Sequence, residues 1–390
     1  THRAFNLAWL PKNLPEHVHF IVSTLPRESD ILETLKALIP DTRNFLQILP
    51  LGPQLSNDLI KEWLGASKRS LTQSQFEIVN SALNRCSLPL YTRLIFEEVC
   101  RWSSYSPVDL TRLEVTVKGV INTMLDRVEK YHGKTFVTHV LSYLTASKNG
   151  LSDMELEDVL SLDDVVLNDC FQHWLPPIRR IPPLLWPRLH NQLSTYIIKR
   201  EANGTLVYFW YHRQFISVAK ERYLNDIGHR LYIHSSLAHY FQGTWGKGIK
   251  KTFRYSNQQM NLLNLGRCES EADRKVPPQP LQFECDPRRP WKIRYNLRKL
   301  SELPYHLIES RRYSDLKQEV LFNYEWLHSK LSAMNLHDLL SDFRNALDAG
   351  LQDPEVTLLF SALRVGGSFV NMNPDTLAFD LVGRLLPYYD

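Results

Sequence analysis

Residues 196–210 read Tyr-Ile-Ile-Lys-Arg-Glu-Ala-Asn-Gly-Thr-Leu-Val-Tyr-Phe-Trp. Two β-prone runs, Tyr196 to Glu201 and Thr205 to Trp210, flank Asn203-Gly204. That dipeptide supplies the positive φ angles a two-residue hairpin turn requires. The spacing predicts three helical stretches before the hairpin. In the first, Phe136, Val137, Val140, Tyr143 and Leu144 share one helix face, and Gly150 is the expected end. The second starts at Ser152-Asp153-Met154-Glu155, where a Ser hydroxyl and a Glu carboxylate three residues on satisfy free N–H groups reciprocally. A connection holding Pro176, Pro177, Pro182 and Pro183 leads to the third, Leu184 to Leu193. Three helices followed by a β-hairpin is the winged-helix order, expected over residues 135–225.

Upstream, residues 66–134 read as a small helical bundle. Its helices are expected at Gln75 to Asn84, at Pro89 through Leu94, Ile95, Glu98 and Val99, and at Val115 to Lys130. Residues 1–65 read differently. The run 17–24, His-Val-His-Phe-Ile-Val-Ser-Thr, lies between Pro15 and Pro26 and suggests a buried strand. Ile31, Leu32, Leu35, Leu38 and Ile39 follow at helical spacing, with Ser29 or Asp30 to cap and Pro40 beyond the end. Phe45 to Leu49 is a second strand-like run, and Leu55 to Leu64 a second amphipathic helix. Strand, helix, strand, helix predicts the tail of an α/β domain with a parallel sheet.

Downstream, residues 213–241 are helical in pattern, and 243–291, rich in Gly, Pro and charge, read as a loop-rich insert. From Asn296 onward, helix pairs are broken at Gly350, Pro354, Gly366-Gly367 and Pro374. This is expected to form a helical superhelix over 226–390, although no fixed repeat period is present. The fold class expected is therefore mainly α, with an α/β remnant, a helical bundle, a winged helix with its hairpin, and a superhelical region.

Composition narrows the function. The 390 residues carry a net charge of only +4, so neither nucleic acid nor an anionic membrane is called for by overall charge. Hydrophobic residues make up 43%, which supports a packed core rather than a disordered chain. The five cysteines, Cys86, Cys100, Cys170, Cys268 and Cys285, lack zinc or redox spacing and suit buried, reduced thiols and a cytoplasmic setting. No apolar run approaches the roughly 20 residues of a membrane span. The opening Thr1-His2-Arg3, without an initiator Met or signal pattern, is expected to belong to a longer chain.

A phosphate-binding loop needs two glycines with four residues between them before Lys-Ser/Thr, so that backbone amides can wrap phosphate oxygens. Gly133-Lys134-Thr135 fits only in part, because Val128 stands where the first glycine is required. There is no Gly-x-Ser-x-Gly and no His-Glu-x-x-His. The chain by itself is not expected to be an enzyme or to hold a metal. Asp163-Asp164 reads as a solvated turn. Lys247, Lys250, Lys251 and Arg254, interleaved with Phe253 and Tyr255, read as a solvated basic loop rather than a stacking platform for nucleic acid. Leu184 to Leu193 holds one Arg and several large apolar groups, a composition that favours burial against a neighbouring domain over contact with DNA phosphates.

Three ordered motifs carry a family resemblance. Trp9-Leu10-Pro11, then Leu14-Pro15 and Val18-His19-Phe20-Ile21-Val22-Ser23-Thr24-Leu25-Pro26, resembles the first sensor strand of NACHT-type NTPases. Leu88-Pro89-Leu90 resembles the proline motif of the NACHT lid, and Tyr211-His212-Arg213-Gln214-Phe215 the winged-helix histidine motif. Taken in order over nearly the whole chain, they resemble the NACHT and WD repeat domain-containing proteins, of the STAND class of signalling NTPases.

The resemblance implies the end of a nucleotide-binding core at 1–65, a lid at 66–134, the winged helix at 135–225, and a connector to WD repeats at 226–390. It implies a phosphate loop upstream and ATP or ADP with Mg²⁺ in the full-length protein. Ser23 and Thr24 would lie near the γ-phosphate, Pro89 against the adenine, and His212 at the β-phosphate. Leu25 stands where the family's sensor often ends in Arg, with Arg27 two residues later. The function implied is a nucleotide-dependent switch and assembly scaffold with protein partners or self-assembly. The alternatives are a nucleotide-independent helical scaffold and, less favoured, nucleic-acid binding through the winged helix.

Overall fold

Apolar spacing and capping chemistry produce the helices at the expected places in the computed structural model. It describes residues 7, 10–11, 14–25, 30–105, 113–174, 176–284 and 293–388. Trp9, Pro26, Arg27, Ser29 and Cys285 lie outside the described residues. The chain divides into two units, Thr1–Arg112 and Leu113–Asp390.

The first unit carries α1 (Ile31–Leu38), α2 (Pro53–Ala66), α3 (Gln73–Arg85) and α4 (Pro89–Val99). Thr72 and Gln75 form a reciprocal capping box at the start of α3. Pro89 sits in the first turn of α4, where a missing N–H costs nothing. Ile60, Val79, Leu83, Tyr91 and Ile95 are fully buried between these helices. The Thr92 hydroxyl bonds Ser56 Oγ at 3.2 Å, satisfying two polar groups inside that core.

The runs 17–24 and 45–49 form no strand, and the expected parallel sheet is not present among the described residues. The physical reason is the lack of a partner. A strand satisfies its backbone only against a neighbour, and the hydrophobic side chains of these runs are largely exposed. Ile21 is 100% exposed, Leu46 90% and Ile48 85%.

The second unit is built around α6 (Lys134–Ala146), which follows α5 (Val117–His132). Every residue of α6 from Val140 to Ala146 is buried. The helix ends at Ala146, four residues before the expected Gly150. α7 (Asp153–Leu162) opens with the predicted capping box, Ser152 with Glu155. A short helix that the sequence reading lacked, α8 (Asp164–Cys170), comes next, and α9 (Leu185–Leu193) follows the proline-rich connection. β1 (Ile197–Ala202) and β2 (Thr205–Trp210) pair antiparallel through Asn203 and Gly204, whose φ angles are 54° and 72°. α10 (Arg213–Tyr223) then returns across α5 and α6, and α5, read as the end of the lid, packs in this unit.

Gly150 does something other than end a helix. Leu151 bridges to Tyr208, so the α6–α7 link is pinned to the hairpin at one point. A Cβ at Gly150 would lie 2.3 Å from the Tyr208 carbonyl oxygen, and its φ of +91° is one that side chains resist.

α11 (Ile227–Gln242) leads to the segment read as a loop-rich insert. Its described part, 243–284, is structured. β3 (Lys251–Arg254) pairs with β4 (Glu269–Ala272) around α12 (Asn257–Leu262), and β5 (Gln282–Phe283) pairs with β6 (Arg294–Tyr295). Phe253 is fully buried, with the Arg179 and Arg274 guanidiniums 5.5 and 5.3 Å from its ring centre. Lys251 pairs with Asp164 at 3.1 Å. Within the basic-aromatic run, Lys251 and Phe253 are thus docked on a strand, while Lys247, Lys250 and Arg254 stay exposed as the sequence reading expects.

The superhelical region comprises α13 (Leu297–Glu309), α14 (Tyr313–Leu316) running into a π turn, α15 (Tyr324–Ala333), α16 (Leu336–Asp348), α17 (Pro354–Met372) and α18 (Leu377–Leu385). Its breaks fall where the sequence places them: Gly350 has φ 98°, Pro354 opens α17, and Gly367 kinks it at φ 54°. Buried Lys330 pairs with buried Asp342 and also donates to the Leu300 carbonyl, tying α15 to α16 and α13.

Candidate functional site

His212 occupies the step from β2 into α10. Its position is fixed from both sides. Before it, Trp210 donates its indole N–H to Thr145 Oγ1 at 2.9 Å. After it, Phe215 is buried and stacks on Trp210 at 5.8 Å between ring centres. His212 has extended backbone and caps α10, with Nδ1 accepting the Gln214 N–H at 3.2 Å. An Nδ1 that accepts carries no hydrogen, so in the neutral ring the hydrogen is on Nε2. Burial, with a smaller contribution from the Arg213 charge, holds the ring's pKa below the usual histidine value. The residue is therefore a half-exposed, neutral imidazole with an Nε2–H donor.

In the first unit, Pro89 is exposed at the head of α4. Ser23 is exposed and Thr24 half-buried, at the end of the extended run 18–25. These side chains are chemically suited to a nucleotide. Hydroxyls and an imidazole N–H are phosphate donors, and a proline ring is an apolar plate for a base. Among the described residues no group of three or more His, Cys, Asp or Glu side chains is placed to hold a metal ion.

Two buried polar clusters join the winged helix to the helices after it. Asp163 is the hub of the first. Its carboxylate accepts from the Tyr143 hydroxyl at 2.7 Å and the Tyr232 hydroxyl at 2.9 Å, and lies 2.6 Å from His139 Nδ1. It also caps α8 through the Val165 N–H. Burial alone would raise its pKa. His139 and the two tyrosine hydroxyls outweigh burial and hold the carboxyl below its ordinary value. Neighbouring Asp164 pairs with fully buried Arg274 at 2.7 Å. The expected solvated turn is thus a buried junction, because both carboxylates find partners far away in sequence.

The second cluster centres on Arg298. Its guanidinium donates to Glu155 Oε1 and Oε2 at 2.8 and 3.0 Å, to Glu302 Oε1 at 3.1 Å, and to the Gly150 carbonyl at 2.7 Å. Glu302, fully buried, also accepts the Lys148 and Asn149 N–H groups at 2.9 and 3.0 Å. Burial pushes its carboxyl up, but His306, Arg298 and the Lys148 N–H together hold it below the usual value. His306 Nδ1 in turn lies 3.0 Å from His234 Nδ1 on α11. The same Glu155 therefore caps α7 and anchors α13.

Sequence reasoning missed both clusters, and its one local clue was the Ser152–Glu155 box, which named a residue but only half of its role. His139, Asp163, Tyr232, Arg298 and Glu302 lie up to 154 residues from their partners, beyond any periodicity signal.

Comparison with known proteins adds lineage. Residues 108–229 match a family model described as an NWD1-like, winged helix-turn-helix domain. The chain is 38% identical over 391 residues to the NACHT domain- and WD repeat-containing protein 1 of Homo sapiens, covering 98% of this chain and 24% of that protein. It is 35% identical over 398 residues to the human NACHT and WD repeat domain-containing protein 2, covering 98% of this chain and 23% of that protein. A telomerase protein component 1 of Rattus norvegicus matches at 28% over 158 residues, 39% of this chain and 6% of that protein. No solved structure matches. The chain spans about a quarter of the length of the curated relatives it matches over nearly its whole extent.

Proposed function

The chain belongs to the NACHT and WD repeat domain-containing proteins over the quarter of their length that it spans, and from that premise we propose that it is the regulatory segment of a nucleotide-dependent switch and assembly scaffold. The nucleotide contacts proposed for this chain are Ser23 and Thr24 at the core end, Pro89 on the lid and His212 on the winged helix. The observation that carries this reading is the state of His212. The helix cap at Nδ1 leaves Nε2–H as a donor, and the depressed pKa keeps the ring a neutral donor at pH 7. A phosphate oxygen accepting that hydrogen would link nucleotide state to the position of the winged helix.

ATP or ADP with Mg²⁺ supplies the energy difference between states, and its phosphate loop is proposed to lie in the longer protein. The chain's own contribution is mechanical. The Arg298 and Asp163 clusters bind the winged helix to α11 and α13, so a displacement at His212 is carried into the superhelix rather than absorbed behind it. The exposed runs 17–24 and 45–49 are proposed to pair with core strands of the longer protein. Partners are proteins or further copies, met through surfaces the switch uncovers, and the setting is cytoplasmic. No described helix is long and apolar enough to cross a membrane.

Calorimetry of ADP and ATP on a longer chain that includes a phosphate-binding loop tests this. Binding of ADP supports the switch, and binding of neither nucleotide removes it. The second reading, a nucleotide-independent scaffold, draws on Leu25, which offers no charge where the resemblance leads to Arg.

A further inference from the structure

Arg179, in the proline-rich connection between α8 and α9, is buried without an acceptor for its charge. The residue is only 7% exposed, and its Nε is enclosed with no hydrogen-bond partner. Its backbone N–H is satisfied by the Asp273 carbonyl at 3.1 Å. Among the described residues its guanidinium meets no carboxylate or carbonyl oxygen. It meets the face of Phe253, 5.5 Å from the ring centre. The two terminal nitrogens are not enclosed as Nε is, so the end of the fork stays within reach of solvent. An orphaned buried donor costs folding free energy, and a native protein keeps one where a ligand or ion completes it.

The surroundings enlarge the deficit. Fully buried Arg274 lies 5.3 Å from the same ring centre and donates to Asp164 at 2.7 Å and to the Ser161 carbonyl at 3.2 Å. Lys251, two residues before Phe253 on β3, reaches the same Asp164 oxygen at 3.1 Å. Burial lowers the Arg274 pKa more than Asp164 raises it, and the Arg179 charge adds to the fall. Nearby charges do not close the gap. Arg180 is matched by Asp158 at 2.7 Å and Arg254 by Glu269 at 3.7 Å, while Asp273 and Lys275 add one charge of each sign. Three cations, Arg179, Arg274 and Lys251, thus share the single carboxylate of Asp164, and two positive charges are left over.

We propose that this is a binding site for a phosphate group, with Arg179 as its main ligand and Arg274 and Lys251 as the charges around it. A phosphate dianion matches an excess of two positive charges, whereas a carboxylate would leave one over. The planar guanidinium offers parallel N–H groups that two phosphate oxygens can accept together, and the Phe253 ring fixes its plane. Asp164 and Arg179 come from the winged helix, and Lys251 and Arg274 from the insert, so bound phosphate fastens one to the other. The site shares no residue with Ser23, Thr24, Pro89 or His212 and does not depend on the nucleotide reading.

The test is thermal unfolding of the 390-residue chain in phosphate-free buffer, in about 50 mM phosphate, and in sodium chloride of equal ionic strength. Phosphate is expected to raise the midpoint by about 3–5 °C over chloride. Arg179→Met keeps the stem over Phe253 and removes the charge. It should leave the phosphate-free midpoint unchanged or higher and abolish the rise. Arg188→Met, the same change at an exposed position, should keep the rise. Calorimetry with inorganic phosphate and with O-phospho-L-serine identifies the source. Tighter binding of the first marks free phosphate, tighter binding of the second a monoester on a larger molecule, and Arg179→Met weakens either at least about tenfold. An equal rise in chloride overturns the proposal, as does a rise that persists in Arg179→Met, which would put the phosphate elsewhere. Equal loss in Arg179→Met and Arg188→Met overturns it too, as an effect of overall charge. A wild type indifferent to phosphate, with a phosphate-free midpoint that falls in Arg179→Met, would leave Arg179 a packing residue alone.

Discussion

Arg298 on α13 and Glu155 on α7 form a bidentate pair, 2.8 and 3.0 Å long, inside the junction between the winged helix and the superhelix. A buried pair of this kind is conditional. Intact, its Coulomb gain offsets desolvation; with one partner removed, the other charge is stranded. Here two carboxylates, Glu155 and Glu302, depend on one guanidinium. Arg298→Ala is therefore expected to cost about 3–5 kcal/mol in urea unfolding. Lys199→Ala, which breaks an ion pair about half-exposed on both sides, should cost under about 1 kcal/mol. Equal effects would contradict the junction's role.

Gly150 and Gly204 both have positive φ, yet they are predicted to tolerate alanine very differently. Gly204 has nothing near its absent Cβ, so Gly204→Ala is expected to cost about 1 kcal/mol of backbone strain. Gly150→Ala would drive a methyl into the Tyr208 carbonyl and open the Leu151–Tyr208 bridge, costing about 3 kcal/mol or more. Thermal unfolding of the two variants checks the difference.

How far the fold could be read in advance follows from where each element finds its stabilising partners. The helices carry theirs within a turn or two, as Ser152 does with Glu155 and Thr72 with Gln75. The hairpin carries its own in Asn203-Gly204. The runs 17–24 and 45–49 have strand composition, but a strand needs a neighbour, and composition does not supply one. Asp163 reads as a surface turn because His139 lies 24 residues before it and Tyr232 69 residues after. Phe253 reads as part of a solvated loop because the arginines that enclose it come from residues 179 and 274. Of the candidate residues, His212 reads from sequence as a motif at a helix start, where a cap is one expected role; which ring nitrogen makes that cap is fixed only in three dimensions.

The insert is predicted to be part of the folded second unit. Phe253→Ala should cost about 3–5 kcal/mol, the usual range for emptying a fully buried aromatic site. It should also expose 243–284 to limited proteolysis, while wild type resists cleavage there. Rapid cleavage of wild type in this segment would contradict the docking of β3 and β4.

His234 predicts a pH dependence of defined sign. Burial, helped by His306, Arg230 and Lys220, lowers its pKa from the ordinary 6.5 to about 2. Below pH 6.5 the unfolded chain takes up a proton that the folded chain refuses. The stabilisation is thus fully present above 6.5 and is lost progressively as pH falls toward the folded value. The limiting slope is about 1.4 kcal/mol per pH unit for one proton. Urea midpoints between pH 7.5 and 4.5 should show a shallower fall for His234→Asn, with Glu302 and its Arg298 partner left in place. An unchanged slope would show that His234 is not the group titrating.

Whether His212 couples the winged helix to bound nucleotide, as proposed, is decided by calorimetry of ADP on a longer chain carrying a phosphate-binding loop, comparing wild type with His212→Asn. Asparagine still caps α10 but has no donor at the Nε2 position, so helix stability is held while the phosphate contact is lost. The account predicts weaker ADP binding by about 1–3 kcal/mol in the variant. Equal affinity in the two proteins would contradict it and leave His212 as a helix cap alone.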